Sequence, residues 1–290
     1  MQKAPALPVH RPLAATPPAV KPLLKPSVSL PAVKPITVVA PAAKPILKPP
    51  VAPPQRFVVA EVIQQTKDVK TLRLKPEAGG LVHAFKPGMF IYLHLIRPGG
   101  TWTNYSAAYS LASSPTERAY YEVSFKLKGP FTHELWKFVS GSVVGVSPPQ
   151  GRNHYHENTD LVLVAGGIGI APCIGLLRYA AALGSKSNIT LLCSDRTAED
   201  VVYSQELAKL SSFHPNFKVV HTLTRAPPGG VPAGFESGRI DEQFLRRHVH
   251  EPAKKHWFLC GSVEMTKALV HTLHKPLAVP LRHIRFESWG

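Results

Sequence analysis

Three glycines carry the clearest chemical signal in this sequence. They lie in the stretch from Leu161 to Leu177, LVLVAGGIGIAPCIGLL, where an apolar run breaks at Gly166, Gly167 and Gly169 and then resumes with helical spacing. Glycines have no Cβ atom, so backbone N–H groups at such a turn can approach a pyrophosphate closely, and the start of the following helix adds partial positive charge. Pro172 fits the first helical turn, where its missing N–H group costs nothing. The stretch predicts a strand, an anion-binding turn and a helix.

Two plainer interpretations compete with this one. A membrane-spanning helix needs about 20 apolar residues, and this run reaches Arg178 after seventeen, with two adjacent glycines and a proline inside it. A tight turn without a ligand stays open as an alternative, because GGIGIAP differs from the usual G-x-G-x-x-G dinucleotide spacing.

A second candidate anion site lies upstream, in the run GPFTHELWKFV. Gly129 to Thr132 begin a predicted helix whose apolar face holds Leu135, Trp136 and Val139. The amides at a helix start have no partner inside the helix. This segment is therefore a second place where backbone N–H groups could hold a phosphate.

The elements that position these turns follow from the pattern of apolar residues. After Gly151, strand-like runs (LVLVA, ITLLCS, FKVVHTLT, HWFLC and HIRFESW) alternate with helix-like runs (APCIGLLRYAAAL, YSQELAKL, DEQFLRRHV and SVEMTKALVHTL). This alternation predicts βαβ units, a parallel sheet and a ligand crevice at the carboxyl ends of the strands. The glycine turn, Ser194 to Arg196, Thr224 to Arg225 and Cys260 to Gly261 all follow such strands.

The preceding segment, from about Arg56, has a different pattern. Six short β-rich runs, FVVAEVIQQ, VKTLRL, FIYLHLI, AYSLA, YYEVSF and VVGVS, are separated by turn signals such as EAGG, KPG and RPGG. Six strands at this spacing predict a closed antiparallel barrel.

The first 54 residues have a composition unlike the rest. They hold fifteen of the 30 prolines, five Lys-Pro steps, no glycine and no acidic residue, which predicts a disordered, extended tail rich in Pro, Lys and Ala. We therefore expect a tail over 1–54, a barrel domain over 55–153 and an α/β domain over 154–290. The tail is either a solvated spacer or a basic tether for an acidic protein, a membrane surface or nucleic acid.

Charge and cysteine usage limit the partners and the compartment. The formal net charge is +16, and residues 1–56 contribute +8 of it, so both parts are basic and predict an acidic partner, an anionic cofactor or a phosphate-bearing surface. Three cysteines without a C-x-x-C pair favour a reducing, cytoplasmic location and suit neither a disulfide framework nor the usual iron-sulfur clusters. No secretory signal or membrane-spanning segment is expected, although the tail could attach the protein peripherally.

A metal site is not expected either. Among fourteen histidines there is no H-E-x-x-H or finger spacing. His154, His156 and Glu157 could still converge in the fold, which leaves a metal site as a minor alternative.

Together these residues resemble the ferredoxin-NADP reductase superfamily, a flavin-binding barrel followed by a nicotinamide-binding α/β domain. The resemblance runs from about Arg56 to Gly290 and rests on motifs that occur in the family's order. These are Phe85-Lys86-Pro87-Gly88-Met89-Phe90, Tyr109-Ser110-Leu111-Ala112-Ser113, Gly129-Pro130-Phe131-Thr132, Pro148-Pro149-Gln150-Gly151, Gly166 to Pro172, Cys260-Gly261 and Phe286-Glu287-Ser288-Trp289.

The resemblance implies FAD as a cofactor, with Tyr109 packed on the flavin ring, Ser110 near its N5 atom and Leu111 beside them. Gly129, Pro130, Phe131 and Thr132 would bind the flavin phosphates. The family motif is Arg-x-Tyr-Ser, and Ala107 stands here in place of the arginine. Flavin is then held more weakly, or Lys126, Lys128 or Arg97 supplies the missing charge.

In the second domain the resemblance implies NADPH or NADH as the hydride donor. Its pyrophosphate would lie on the glycine turn and the helix start, on Gly166, Gly167, Gly169, Ile170, Ala171 and Pro172. Cys260 and Glu287 would lie beside the nicotinamide C4 atom and flavin N5, with Gly261 next to them, and Trp289 would cover the flavin. Plainer roles as core residues stay open for Cys260 and Trp289.

The choice between NADPH and NADH depends on whether the 2′-phosphate meets a cation. Ser194, Arg196, Arg225 and Arg239 resemble the phosphate-binding residues of NADPH-dependent members, although Arg-Thr at this position also occurs in members that use NADH. The sequence thus leaves the coenzyme open, with NADPH favoured.

The function implied by the resemblance is hydride transfer from NAD(P)H to FAD. Electrons then pass to a separate, acidic acceptor protein such as ferredoxin, flavodoxin or an oxygenase component. The alternative is a nucleotide-binding assembly or regulatory protein of the same fold without turnover, whose basic tail docks on nucleic acid or membrane. The absence of an arginine at Ala107 is what keeps this alternative open.

Overall fold

The computed structural model describes residues 53–289 apart from 97–99, 153, 156–157 and 226–229, and it leaves the side chain at position 104 undescribed. Residues Pro50–Gly290 belong to one compact unit. The predicted tail, except its last two residues, lies outside the described residues, as do Arg97, His156 and Glu157. The predicted domain boundaries stay predictions.

The first sheet confirms the six-stranded antiparallel barrel. Its strands, in the order β4-β3-β6-β1-β2-β5, are β1 (Gln55–Thr66), β2 (Val69–Pro76), β3 (Phe90–Ile96), β4 (Trp102–Ser110), β5 (Tyr121–Lys126) and β6 (Val143–Val146). An isolated bridge between Leu111 and Val123 joins the two edges of the sheet. Inward-facing side chains such as Phe57, Leu72 and Ile91 are buried and fill the interior.

Strand β4 differs from the run AYSLA that predicted it. It begins six residues earlier, at Trp102, and ends at Ser110, because it pairs with β3 from Ile96–Trp102 to Phe90–Ser110, with one irregularity between His94 and Ile96. Gly145 in β6 makes room for the start of this strand, since a Cβ atom there would be 2.6 Å from the Trp102 ring. The pairing and this contact are long-range effects that a local pattern does not contain.

The second sheet confirms the parallel α/β arrangement. Its order is β10-β9-β8-β7-β11-β12, and its strands are β7 (Leu161–Gly166), β8 (Ile189–Asp195), β9 (Phe217–Leu223), β10 (Phe235–Ser237), β11 (His256–Gly261) and β12 (Ile284–Ser288). The helices are α2 (Ile170–Ala182), α3 (Ser204–Phe213), α4 (Glu242–His248) and α5 (Val263–His274). The three-residue strand β10 carries too short an apolar run to be predicted. Within the described ranges, no helix has the length and apolar character needed to cross a membrane.

Helix α1 (Pro130–Trp136) follows β5, as predicted, but it is shorter than the sequence pattern suggested. Leu135 is buried, whereas Val139 is 64% exposed, so its placement on the apolar face was wrong. The chain leaves the helix at Lys137 and turns through Gly141, whose φ is +91°. Val139 therefore lies in the turn that leads to β6.

Helix α2 lies directly against the barrel. A Cβ atom on Gly175 would be 2.6 Å from the carbonyl oxygen of Leu111. One turn later, the Arg178 guanidinium donates to the carboxylate of Glu122 at 2.6 Å and to the carbonyl of Ala112 at 2.7 Å. These contacts fix the position of the barrel relative to the parallel sheet.

Candidate functional site

Two predicted site residues meet where the barrel contacts the parallel sheet. Ser110, at the end of β4, is 7% exposed and donates from its hydroxyl to Glu287 Oε2 at 3.4 Å. Glu287 lies in β12, the last strand of the chain. Residues 177 positions apart therefore form one polar contact between the barrel and the parallel sheet.

Cys260 completes this group from the neighbouring strand. The parallel register places Cys260 opposite Glu287 on one side and Ala165 on the other. Its thiol is fully buried, and burial together with the charge of Glu287 raises its pKa, while a hydrogen bond with the Trp289 side chain opposes the rise. The thiol is therefore protonated at neutral pH, and Trp289, which is 36% exposed, lies beside it.

The glycine turn is pressed against β11. A Cβ atom on Gly169 would be 2.2 Å from the Cys260 carbonyl oxygen, and one on Gly166 would be 2.4 Å from the sulfur of Met265. A Cβ atom on Gly261 would also be too close to that sulfur, at 2.8 Å. Gly169 thus allows the close backbone packing that brings the turn next to Cys260, whereas Gly166 and Gly261 leave room for the Met265 side chain.

Gly167 plays a different part in the same turn. Its φ is +53°, and a Cβ atom there would meet nothing within 4 Å, so its outer side is open. The helix that follows has three buried side chains in its first turn, those of Ile170, Ala171 and Pro172. Any contact that these residues make with a ligand therefore comes from their backbone.

The second predicted anion site is built around Thr132. Its hydroxyl oxygen accepts from the backbone N–H groups of Lys128 and Gly129, both at 2.9 Å. A Cβ atom on Gly129 would meet nothing within 4 Å, so this helix start is open on its outer side. Pro130 is exposed and Phe131 is buried, which leaves the backbone of the first turn as the surface offered to a phosphate.

Aromatic rings line the face of β4 beside this helix. Tyr109 stacks on Phe131 with ring centroids 6.2 Å apart, and Tyr105 meets the same Phe131 ring edge-on at 5.1 Å. Burial raises the pKa of Tyr109, so its phenol is neutral at physiological pH. Tyr105, 53% exposed, was not predicted as a site residue. The sequence feature that identifies Tyr105 is its period-two spacing with Ala107 and Tyr109, which puts all three residues on one face of the strand.

The two described lysines that were expected to replace the arginine missing at Ala107 have different surroundings. Lys126 forms an ion pair with Asp68 at 2.9 Å, so Asp68 already neutralises part of its charge. Lys128 is exposed next to the open helix start. Leu111, which the resemblance placed beside the flavin, is 1% exposed, and its N–H group donates to the Met89 carbonyl.

The residues proposed for coenzyme choice do meet at the carboxyl ends of their strands. Arg225 N donates to the Arg196 carbonyl at 2.9 Å, and both side chains are exposed. Arg239 is also exposed and follows Gly238, whose N–H group donates to the end of β9. Ser194 is half-buried at the end of β8.

Asp195 lies among these residues and was missed by sequence reasoning. It is 8% exposed, and burial together with the nearby Asp200 raises its pKa to about 7, while Lys126 opposes this rise. The backbone N–H and the hydroxyl of Thr224 donate to its carbonyl oxygen. Its position directly before Arg196 was visible in the sequence, but its burial was not.

His154 is the second residue that the sequence did not identify as part of this site. Its Nε2 atom lies 3.3 Å from Glu287 Oε1, and its ring stacks on Phe258 with centroids 4.5 Å apart. It precedes β7 in the connection between the two sheets. The sequence pointed to His154 only as a metal-ligand candidate with His156 and Glu157, and its contact with Glu287 depends on long-range packing.

Comparison with known proteins shows similarity to oxidoreductases and reductase components. Residues 163–271 match the family model described as an oxidoreductase NAD-binding domain. The chain is 29% identical over 243 residues to the reductase component of propane 2-monooxygenase from Mycolicibacterium goodii, which covers 81% of this chain and 67% of that protein. It is 26% identical over 247 residues to the flavohemoprotein of Halalkalibacterium halodurans, covering 81% of this chain and 59% of that one.

Solved structures show the same fold. The flavohem-like FAD/NAD-binding domain of nitric oxide dioxygenase from Vibrio cholerae superposes with a TM-score of 0.74 at 22% identity, over 82% of this chain and 99% of that one. Phthalate dioxygenase reductase superposes with a TM-score of 0.62 at 22% identity, over 81% and 68%. The chain thus spans the whole of one such domain pair but only about three fifths of the flavohemoproteins.

Proposed function

We propose that this chain is a member of the ferredoxin-NADP reductase superfamily and an FAD-dependent NAD(P)H oxidoreductase that serves a separate electron acceptor. FAD and NAD(P)H, when bound, would supply the hydride-transfer and electron-transfer chemistry. The task of the protein is to align the two cofactors and to keep water away from them.

The observation that carries the proposal is the meeting of Ser110, Cys260 and Glu287 from three separate strands. Ser110 brings a hydroxyl from the barrel, and Glu287 brings a carboxylate from the parallel sheet, 3.4 Å away. Cys260 lies next to Glu287 in strand register, with a protonated thiol that adds no charge. A hydroxyl, a neutral thiol and one carboxylate lie together where the barrel meets the parallel sheet. Such a group suits a site that orients the flavin and nicotinamide rings and holds or releases one proton.

The anion-binding elements on either side support this assignment. We assign the flavin phosphates to the open helix start at Gly129 and Thr132, with Tyr109 against the flavin ring. The nicotinamide dinucleotide pyrophosphate is assigned to the turn at Gly167 and the start of α2, where backbone N–H groups and the helix dipole favour an anion. Trp289, beside Cys260, is assigned to the surface that the nicotinamide must reach.

The acceptor is proposed to be an acidic protein of the oxygenase or electron-carrier type. One relative is named as the reductase component of a monooxygenase, and a structural neighbour is a phthalate dioxygenase reductase. Residues 57–290 hold 26 Lys or Arg and 18 Asp or Glu, a difference of +8. Positive charge on the reductase speeds encounter with an acidic partner and makes binding weaken as salt is added.

The basic segment 1–54 is proposed to contribute to partner or surface attachment and not to the chemistry. A chain starting at Pro54 should bind flavin and reduce a small acceptor such as ferricyanide at the rate of the full chain, while losing salt-sensitive affinity for an acidic protein or anionic surface. Loss of flavin on truncation would instead place part of this segment at the flavin site.

The absorption spectrum of the purified protein, supplied with FAD and then with NADPH or NADH without oxygen, tests the proposal. We expect flavin absorption that bleaches on addition of the coenzyme. A protein that takes up no flavin, or whose flavin neither coenzyme bleaches, would favour the non-catalytic alternative.

A further inference from the structure

We infer that His154 is a positioning residue that holds the Glu287 carboxylate in place for Ser110. The inference deepens the proposed function and rests on it for its kinetic consequence. Its geometric basis is independent of any cofactor.

The two oxygen atoms of Glu287 have different partners. Oε2 accepts from the Ser110 hydroxyl at 3.4 Å, and Oε1 lies 3.3 Å from His154 Nε2. A carboxylate held by one partner can still rotate about its side-chain bonds, whereas one held at both oxygens has a defined plane. His154 therefore fixes the orientation in which Glu287 presents its other oxygen to Ser110.

The histidine is itself held firmly. Its backbone N–H donates to the Pro87 carbonyl at 3.0 Å, and its ring stacks on Phe258 at an interplanar angle of 22°. Gly88 lies so close that a Cβ atom there would be 2.3 Å from His154 Cδ2. Only 9% of the side chain is exposed. The ring is thus enclosed by the barrel loop on one side and by β11 on the other.

The hydrogen bonding of the His154 ring also indicates that its role is to hold Glu287. Nδ1 is buried and has no hydrogen-bond partner among the described residues, so the contact with Glu287 is the polar contact that the ring makes within that part of the chain. A buried polar atom without a partner is costly, and an apolar ring would stack on Phe258 without that cost. A hydrogen bond donated by Nε2 to Glu287 accounts for the presence of a histidine at this position.

The residue acts through Glu287, so its loss should affect the alignment of the site more than the binding of the coenzyme. His154→Phe keeps the stacked ring and removes the donor, whereas His154→Gln restores a donor of similar reach. His214 offers a matched control, because its ring stacks on Phe217 at 4.8 Å and 25° in a different part of the α/β domain.

The kinetic test is the rate of flavin reduction in a single turnover, together with the dissociation constant of the coenzyme. We expect His154→Phe to slow reduction roughly tenfold to a hundredfold, as for misplaced catalytic groups, with the dissociation constant changed less than twofold. His154→Gln should recover most of the rate, and His214→Phe should match the wild type. A wild-type rate in His154→Phe, or a failure of His154→Gln to recover it, would overturn the inference.

A second readout needs no cofactor. In the flavin-free protein, the losses of melting temperature caused by His154→Phe and Glu287→Leu should not add in the double variant, because leucine has no oxygen to accept from His154 and both changes therefore remove the same contact. Additive losses would count against the contact itself. If the wild type takes up no flavin, the proposed function fails, and this cycle alone decides whether His154 holds Glu287.

Discussion

Gly175 of helix α2 and Leu111 of the barrel lie so close that the hydrogen atom on the Gly175 Cα is the largest group that fits. A Cβ atom in its place would be 2.6 Å from the Leu111 carbonyl oxygen and 3.3 Å from that of Ser113. The segment it contacts directly follows Ser110. The distance between the helix and the barrel is thus set next to the candidate reaction centre.

This contact reverses the usual effect of replacing glycine by alanine inside a helix. The replacement normally stabilises a helix by about 1 kcal/mol, but Gly175→Ala should lower the melting temperature, because the helix or the barrel strand must move. Gly129→Ala is the control, since a Cβ atom there meets nothing within 4 Å. Thermal unfolding of the flavin-free variants checks this, and an unchanged or higher melting temperature for Gly175→Ala would contradict the contact.

The buried carboxylate of Glu122 should be a major contributor to stability. It is 1% exposed and lies between Arg73 at 3.0 Å and Arg178 at 2.6 Å. Glu122→Gln removes the negative charge that both guanidinium groups share, while Arg73 keeps Glu61 and Arg178 keeps Glu206. We therefore expect the free energy of unfolding to fall by about 1.5 to 3 kcal/mol. Glu134→Gln, at an exposed pair with Lys137, should cost less than about 1 kcal/mol. Urea unfolding of both variants measures the difference, and equal losses would mean that the buried network is not stabilising.

Asp195 predicts a stability that depends on pH. Burial and the charge of Asp200 raise its pKa to about 7, above the value of about 3.9 in an unfolded chain. The folded protein therefore holds this proton more tightly, and the stabilisation is complete below pH 4 and lost as the pH rises through 7.

The variant Asp195→Asn does not titrate at this position, so its stability relative to the wild type should rise between pH 4 and 7 and stay level above 7.5. The full change is up to about 4 kcal/mol. Glu199→Gln, at an exposed neighbour in the same segment, should not gain stability over this range. Urea unfolding at pH 5, 6, 7 and 8 provides the measurement, and parallel curves for the wild type and Asp195→Asn would refute the assignment.

Arg196 and Arg225 predict how the coenzyme is chosen. Their backbones are hydrogen-bonded at 2.9 Å, and their exposed side chains leave the same edge of the sheet. If they contact the 2′-phosphate, each change to Ala should weaken NADPH binding by roughly 1.5 to 3 kcal/mol and leave NADH nearly unchanged. Arg246→Ala, in helix α4, is the control. Dissociation constants for both coenzymes decide the matter, and equal losses would assign the arginines to structure or to the shared pyrophosphate.

The sequence predicted the parts of the molecule that depend on local pattern. The barrel, the parallel sheet and the turn from Gly166 to Gly169 follow from alternation, spacing and missing side chains. The residues it missed depend on long-range packing. The burial of Asp195 and the contact of His154 with Glu287 exist only once both sheets are in place, and the true start of β4 at Trp102 is set by pairing with β3.

The candidate reaction centre also has a consequence for how such a site is inherited. Ser110 comes from the barrel, His154 from the connection and Glu287 from the last strand, and 133 and 177 positions separate the contacting pairs. A recombination event that exchanged the barrel or the α/β domain alone would join residues that had not evolved against each other. The barrel, the connection and the last strand must therefore be inherited together for this group of contacts to form.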